Sequence, residues 1–485
     1  MKQYIAIITA LLLVWPAYAA SKKNKQPSLN NVAISYLDNS FQQYDALQKQ
    51  IWANPELGFL ETFSSSLLQK HLVENGFDIE TGVAGMPTAF VATYGSGEPV
   101  IGILAEFDAL PGLSQDTVPY RKPLVEGGNG HGCGHNVFGV GSVAGAVAIK
   151  QWLSEHKHAG TIKVFGTPAE EGGGGKVYMV RDGFFKNVDV ILDWHPGTGN
   201  RVSVGTGTAI QMIDYSFTGK ASHAAGAPDK GRSALDGVEA FNYMVNLLRE
   251  HVPTSSRIHY VITNGGEAPN VVPEFAKVSY YIRSPKREVL KELTNWIEKA
   301  AEGAALGTQT KVSSEIISGF YEKLPNRKLA ELVQKKLEIV GGIKYDARER
   351  TFAEEILKTV NRDSSALSEV ARIAPLKEEE PSQGGGSSDV GDVSWNVPTV
   401  SFTTATFIPG SAGHSWQNVA SDGTTIGTKS LINSAKVFAL SAIELYTNPS
   451  YIEEVKEEFD KRRGNEFKYD PLLGDRKPAL DYRVR

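Results

Sequence analysis

Short apolar runs bounded by polar turns recur in the first and last parts of this chain, at residues 99–106, 161–167, 188–192 and 398–407. Near-continuous hydrophobicity over so few residues predicts strands buried on both faces. A further strand is predicted over 89–94. Longer stretches with apolar residues at helical spacing lie between them, at 35–52, 64–75, 137–155, from about Lys176, and at 329–340 and 426–447. Strand and helix alternate, which argues an α/β fold: a mostly parallel sheet with helices on both faces.

The rhythm changes in the middle. Strands at 211–218, 257–263, 277–282 and 310–316 are interleaved with helices at 233–250 and 286–304. The first of these helices places Leu235, Val238, Phe241, Val245 and Leu248 on one face. The order β-α-β-β-α-β is that of the ferredoxin-like, split βαβ unit, and it predicts a compact domain inserted at 212–321. Residues 30–211 and 322–447 then form one discontinuous domain, and 448–485 a charged C-terminal tail. Two domains also suit a length of 485 residues. Residues 377–388, charged and then rich in Pro, Gly and Ser, read as a loop.

The N-terminus adds a location. Lys2, an apolar run over 5–14 and the small-residue pattern Ala17-Tyr18-Ala19 predict a secretory signal peptide at 1–19. The mature protein is expected to be secreted or periplasmic, with no cysteine at the cleavage point for a lipid anchor. No other apolar run reads as a membrane span. The formal charge of −5 leaves no basic footprint for nucleic acid. Cys133 is the only cysteine, so it cannot pair within the chain. A free thiol in an oxidising compartment needs burial or a metal.

Candidate chemistry gathers where strands end. His131-Gly132-Cys133-Gly134-His135-Asn136 sets a thiol and an imidazole two positions apart in a glycine-rich turn. Asp108, Glu170 with Glu171, His195 and His414 each follow a predicted strand. In open parallel sheets, the carboxyl ends of the strands form the binding crevice. Cys133, His135, Glu171, His195 and His414 offer five protein ligands, more than one zinc ion needs, so two divalent cations fit better. Glu170 is left free as general base, and Asp108 suits an outer role, orienting a ligand. The run Gly172 to Lys176 fails as a phosphate loop, because position 170 is Glu and position 177 is Val. In the inserted unit, His223 and Arg283 could hold a carbonyl oxygen and a substrate carboxylate.

Three of these motifs, His131-Gly132-Cys133-Gly134-His135-Asn136, Gly166-Thr167-Pro168-Ala169-Glu170-Glu171 and Trp194-His195, resemble the amidohydrolase branch of the aminoacylase/carboxypeptidase metallopeptidases. Gly219-Lys220-Ala221-Ser222-His223-Ala224-Ala225-Gly226-Ala227-Pro228, Gly231-Arg232-Ser233-Ala234-Leu235-Asp236 and Ser388-Asp389-Val390-Gly391-Asp392-Val393-Ser394-Trp395 are similar to its aminobenzoyl-glutamate hydrolase B type. The resemblance covers nearly all of the chain after the leader. It implies Cys133, His135, Glu171, His195 and His414 as metal ligands, with Glu170 as base; for the two divalent ions per subunit expected above, the thiolate favours zinc and the carboxylates tolerate manganese. It implies that the inserted unit is a lid through which the chain forms a homodimer. His223 would then cross to the partner's site and polarise the scissile carbonyl, and Asn270 and Arg283 would contact substrate. The implied substrate is a small N-acyl or N-aroyl amino acid or a dipeptide. Much of the branch has Asp where this chain has Asn136. A dipeptidase with the same site and a catalytically silent metal-binding protein stand as alternatives.

Overall fold

The structure is a computed structural model and describes residues 31–378 and 386–484, so the leader at 1–19 lies outside the described residues. The chain opens with α1 (Val32–Asn39), α2 (Phe41–Ala53) and α3 (Thr62–Glu74). One helix was expected over 35–52. Instead, the Ser40 N–H turns back onto the Tyr36 and Leu37 carbonyls and ends the first helix there. Next come β1 (Asp78–Thr81), β2 (Phe90–Ser96), β3 (Val100–Ala105), α4 (His135–His156), β4 (Gly160–Gly166), α5 (Gly175–Arg181), β5 (Val190–Gly197) and β6 (Arg201–Ser203). The middle segment runs β7 (Ala209–Thr218), α6 (Ala234–Leu248), β8 (Arg257–Asn264), β9 (Phe275–Ser284), α7 (Arg287–Thr308) and β10 (Lys311–Phe320). The return comprises α8 (Arg327–Val340), α9 (Ala347–Thr359), α10 (Val390–Ser394), β11 (Thr399–Ala405), α11 (Trp416–Asp422), α12 (Thr425–Thr447) and α13 (Pro449–Arg463).

The larger sheet has the order β1-β2-β4-β3-β5-β11-β6. Its centre, β4-β3-β5-β11, is parallel throughout; β2 and β6 run antiparallel to it, and β1 pairs antiparallel with β2. The sheet is therefore mixed rather than mostly parallel. Parallel pairing needs a long crossover, whereas the short links that lead into β2 and β6 can only reverse the chain. The four central strands point the same way, so their carboxyl ends share one edge.

Helix α4 is apolar enough in length and composition to cross a membrane, yet 83% of that stretch is buried inside the protein. Its glycines explain how. A Cβ on Gly141 would lie 2.8 Å from Ser434 and Trp194, and one on Gly145 would lie 3.0 Å from Phe438. Both positions must stay bare for α12 and the sheet to approach.

The second sheet is antiparallel, in the order β10-β7-β9-β8. It has its own core, in which Val238, Phe241, Val245 and Leu248 of α6 and Leu290, Leu293 and Ile297 of α7 meet Phe217, Val278 and Tyr280 of the strands. The stripe read from the sequence of α6 is the face that is buried. Its first turn is capped by the Ser233 hydroxyl, which accepts the Asp236 N–H. Beyond α13, the chain folds back along the outside, and Leu472 and Leu473 are buried there.

Candidate metal centre and active site

The shared strand edge collects the reactive groups. Past the end of β3, Glu106 and Asp108 are both buried. Gly134 precedes α4 at φ 78, and a Cβ there would meet Pro196 and Phe407 at 2.9–3.0 Å. That turn sets Cys133 and His135 over the ends of β3 and β5. The Cys133 thiol lies 3.4 Å from His195 Nε2. The other nitrogen of His195, Nδ1, is 2.8 Å from the Pro196 carbonyl, which makes Nδ1 the donor and turns Nε2 toward the thiol. His135 Nδ1 is 2.9 Å from Asp108 Oδ1, while Asp108 Oδ2 accepts the Glu171 N–H at 2.9 Å. His414 reaches the same place from the loop after β11, with Nε2 3.3 Å from Glu171 Oε1.

The five ligands expected from the sequence therefore converge. The donor atoms of Cys133, His135 and His195 all lie within 4.8 Å of one another, as do those of Cys133, Glu171 and His414. Cys133 belongs to both sets. Glu106, His135 and Glu170 form a third set at the same spacing. Three buried atoms here, Glu106 Oε2, His135 Nε2 and Glu171 Oε1, make no well-formed hydrogen bond among the described residues. Buried polar atoms are rarely left so, and a divalent cation would satisfy them. A thiolate, imidazoles and a carboxylate are donors such an ion takes.

Against the effect of burial, the neighbouring Cys133, Asp108 and Glu106 hold His135 well above the ordinary imidazole value, a proton that a bound cation would displace. Burial and the neighbouring His135 push His195 down to about 3, so it is a neutral imidazole with a free lone pair. Burial, together with Glu106 and Glu171, holds the Glu170 carboxyl well above the ordinary range. Burial and Glu171 likewise raise the Cys133 thiol, a shift that a bound cation opposes.

Behind the centre lies a cluster that the sequence did not disclose. Lys176 is fully buried, with Nζ 2.6 Å from Glu106 Oε1 and 2.7 Å from Asp389 Oδ1. Glu106 in turn places Oε2 3.1 Å from His135 Nε2. The available signal was a lysine inside the apolar run of α5, which only a buried carboxylate could explain.

A cavity of about 480 Å³ opens in front. Cys133, Glu170, Glu171, His195 and His414 line it, together with the cationic Arg283 and Lys323 and with Tyr281. Arg283 is steadied by the Ser387 hydroxyl at 2.7 Å, and Lys323 by Ser401 at 3.2 Å. His223 and Asn270 do not line this cavity. They sit together on the exposed surface of the middle unit, where the Asn270 carbonyl accepts the Ala224 N–H at 3.0 Å. His223 Nδ1 accepts the Gly226 N–H at 3.0 Å, which leaves Nε2 free.

Residues 102–442 match the profile of Peptidase family M20/M25/M40. The chain is 36% identical over 441 residues to the B-type component of the p-aminobenzoyl-glutamate hydrolase of Escherichia coli K12, covering 86% of this chain and 92% of that one. It is 29% identical over 451 residues to Xaa-Arg dipeptidase of Mus musculus, covering 89% and 92%. The solved structure of the YXEP protein of Bacillus subtilis, a dinuclear metal binding peptidase, shares the fold. Its TM-score is 0.56 at 17% identity, over 84% of this chain and 99% of that one.

Proposed function

The chain belongs to peptidase family M20/M25/M40 and is a metal-dependent hydrolase of amide bonds; we propose that it cleaves N-acyl or N-aroyl amino acids of the aminobenzoyl-glutamate kind, with Glu170 as general base. The observation that carries this reading is the two donor sets sharing Cys133, which lines the same cavity as Glu170. Cys133, His135, Glu171, His195 and His414 would hold two divalent cations; the thiolate favours zinc, and the carboxylate admits manganese. Bound there, such cations would supply an activated water and a Lewis acid for the amide carbonyl. Glu170 takes a proton from the water as its oxygen adds to the carbonyl carbon. It returns that proton to the amide nitrogen as the C–N bond breaks, giving a free acid and a free amine. Burial among other carboxylates keeps Glu170 basic enough to act beside the cations. Asp108 holds His135 and the Glu171 backbone in place.

The cavity volume suits a small conjugate rather than a polypeptide. Arg283 and Lys323 share the cavity lining with the candidate ligands, which favours an amino acid that is itself an anion, such as glutamate, over one with a cationic side chain. Residues 212–321 act in this reading as a ferredoxin-like lid on a catalytic domain made of 30–211 and 322–447. Tyr243 and Leu247 of α6 and Val261 of the edge strand β8 are exposed, which supports a homodimer formed through the lid. His223, outside its own chain's cavity, then serves the partner's site with Asn270 beside it. The leader at 1–19 would deliver the protein to a secreted or periplasmic location.

The test is turnover of p-aminobenzoyl-glutamate, hippurate and dipeptides ending in Arg, with and without chelator. Chelator-sensitive hydrolysis of the glutamate conjugate, silenced in metal-loaded Glu170→Gln, is expected. Chelator-insensitive turnover, or full activity of Glu170→Gln, rejects the mechanism. Preference for the Arg dipeptides moves the assignment to a dipeptidase.

A further inference from the structure

The turn that carries Glu170 and Glu171 is also held from outside the cavity. Ala169 sits at φ 58, a left-handed conformation that a residue with a Cβ resists. Something must fix it, and two carboxylates do part of this. Glu61 Oε1 accepts the Ala169 N–H at 2.8 Å, and Asp108 Oδ2 accepts the Glu171 N–H. The Glu171 carbonyl points the other way, toward the C-terminal tail. There the Arg483 guanidinium donates to it, and the Tyr482 hydroxyl lies 3.5 Å from the same oxygen.

The tail is seated rather than draped. The Tyr482 ring meets Phe59 edge-on with centroids 5.7 Å apart, and Arg483 lies over the Tyr482 ring at 4.9 Å. A Cβ on Gly58 would collide with both the Tyr482 hydroxyl and Ala169, so tail, turn and the Gly58 loop interlock. Upstream, the Arg476 guanidinium donates to the Ile317 carbonyl, and Arg181 donates to the Arg476 carbonyl at 2.7 Å. These contacts tie the tail to β10 and α5.

We propose that Arg483, backed by Tyr482, is a positioning residue for the Glu170–Glu171 turn, clamping the outer end of a peptide segment whose inner end Asp108 holds. It rests on the assignment of Glu171 as ligand and Glu170 as base. A guanidinium on a carbonyl is a charge-assisted hydrogen bond, stronger than a neutral one. Held at its N–H and at its C=O, the Glu171 backbone is fixed, so the points from which the Glu170 and Glu171 side chains leave the turn, toward the cavity and toward Cys133 and His414, stay in place.

The test compares full-length wild type, Arg483→Ala and Arg483→Lys. Hydrogen exchange of the metal-free proteins reads the turn directly. Peptides spanning 165–176 are expected to exchange faster in Arg483→Ala, with the lid and central strands unchanged. Zinc affinity is expected to fall roughly 10- to 100-fold, the usual effect of losing an outer support of a ligand. kcat should fall at nearly constant KM, and Arg483→Lys should restore part of both. Wild-type exchange and zinc affinity in Arg483→Ala would overturn the proposal. So would faster exchange spread across the whole sheet with no rescue by lysine, the mark of a merely structural contact. If wild type hydrolyses no amide at all, the function assignment fails instead, while exchange and affinity still judge the clamp.

Discussion

Lys176→Met tests the buried scaffold behind the metal centre. The ammonium lies 2.6 Å and 2.7 Å from carboxylates of Glu106 and Asp389, and none of the three side chains is more than 1% exposed. At an effective dielectric of 20, each contact is worth about 6 kcal/mol before desolvation. Methionine fills a similar volume, so the loss is one of charge rather than packing. The two carboxylates left behind answer by taking up protons, which limits the net cost to about 3–5 kcal/mol, as when one partner of a buried pair is removed.

The pH dependence of that cost has a definite sign. Burial already pushes Glu106 up to about 7 despite Lys176, and burial also raises Asp389. Without the cation, both rise further. A carboxyl whose folded pKa lies above its unfolded value costs stability as pH rises from the unfolded value through the folded one. The deficit of Lys176→Met should therefore be largest near pH 8 and shrink toward pH 5.5, by about 1.4 kcal/mol for each unit over which a carboxyl is protonated in the variant but ionised in wild type, which for Glu106 means only above about 7. Urea denaturation in chelator at the two pH values reads it, and adding Asp389→Asn should recover part of the loss at pH 8. A loss under about 1 kcal/mol at pH 8, or one independent of pH, would refute the buried-pair reasoning.

Other positions give separate expectations. Asp108→Asn should weaken zinc affinity by about 10- to 100-fold in competition titrations, because the asparagine cannot serve both His135 and the Glu171 N–H as an anion; unchanged affinity would contradict its outer role. Arg283→Ala should raise KM for an acidic N-acyl amino acid by roughly 10- to 100-fold, the worth of one charged hydrogen bond, with a smaller change in kcat; an unchanged KM would remove Arg283 from substrate binding. Asp392 is buried, accepts the Tyr321 N–H and the Tyr469 hydroxyl, and is pushed by burial up to about 7. Its penalty is absent near pH 4 and complete above pH 7, so between pH 5 and pH 8 the stability of Asp392→Asn relative to wild type should improve by about 2–3 kcal/mol in urea titrations; no change with pH would contradict a buried acid there.

What could be read from the sequence was what local pattern and strand ends encode. The buried runs at 99–106, 161–167 and 398–407 became the parallel centre of the sheet with β5, and their ends did gather Cys133, His135, Glu171, His195 and His414. Strands β1 and β6 escaped notice because an edge strand of three or four residues carries almost no pattern. Helices α9 and α13 escaped because they are dominated by charge. The first is announced only by the capping box of Asp346 and Glu349, the second by Pro449 at its start. The Glu106–Lys176–Asp389 cluster joins residues up to 283 positions apart in the chain and has no local signature. Arg483 looked like one charge among many in the tail, and only the folded chain brings it to the carbonyl of Glu171.

The most direct test of the central claim is anomalous diffraction from zinc-loaded crystals of the full-length protein. Two peaks per chain, about 4 Å apart and in contact with the Cys133 sulfur and with His135, Glu171, His195 and His414, are expected. Zinc bound elsewhere, or a Cys133 sulfur out of contact with every peak, would contradict it.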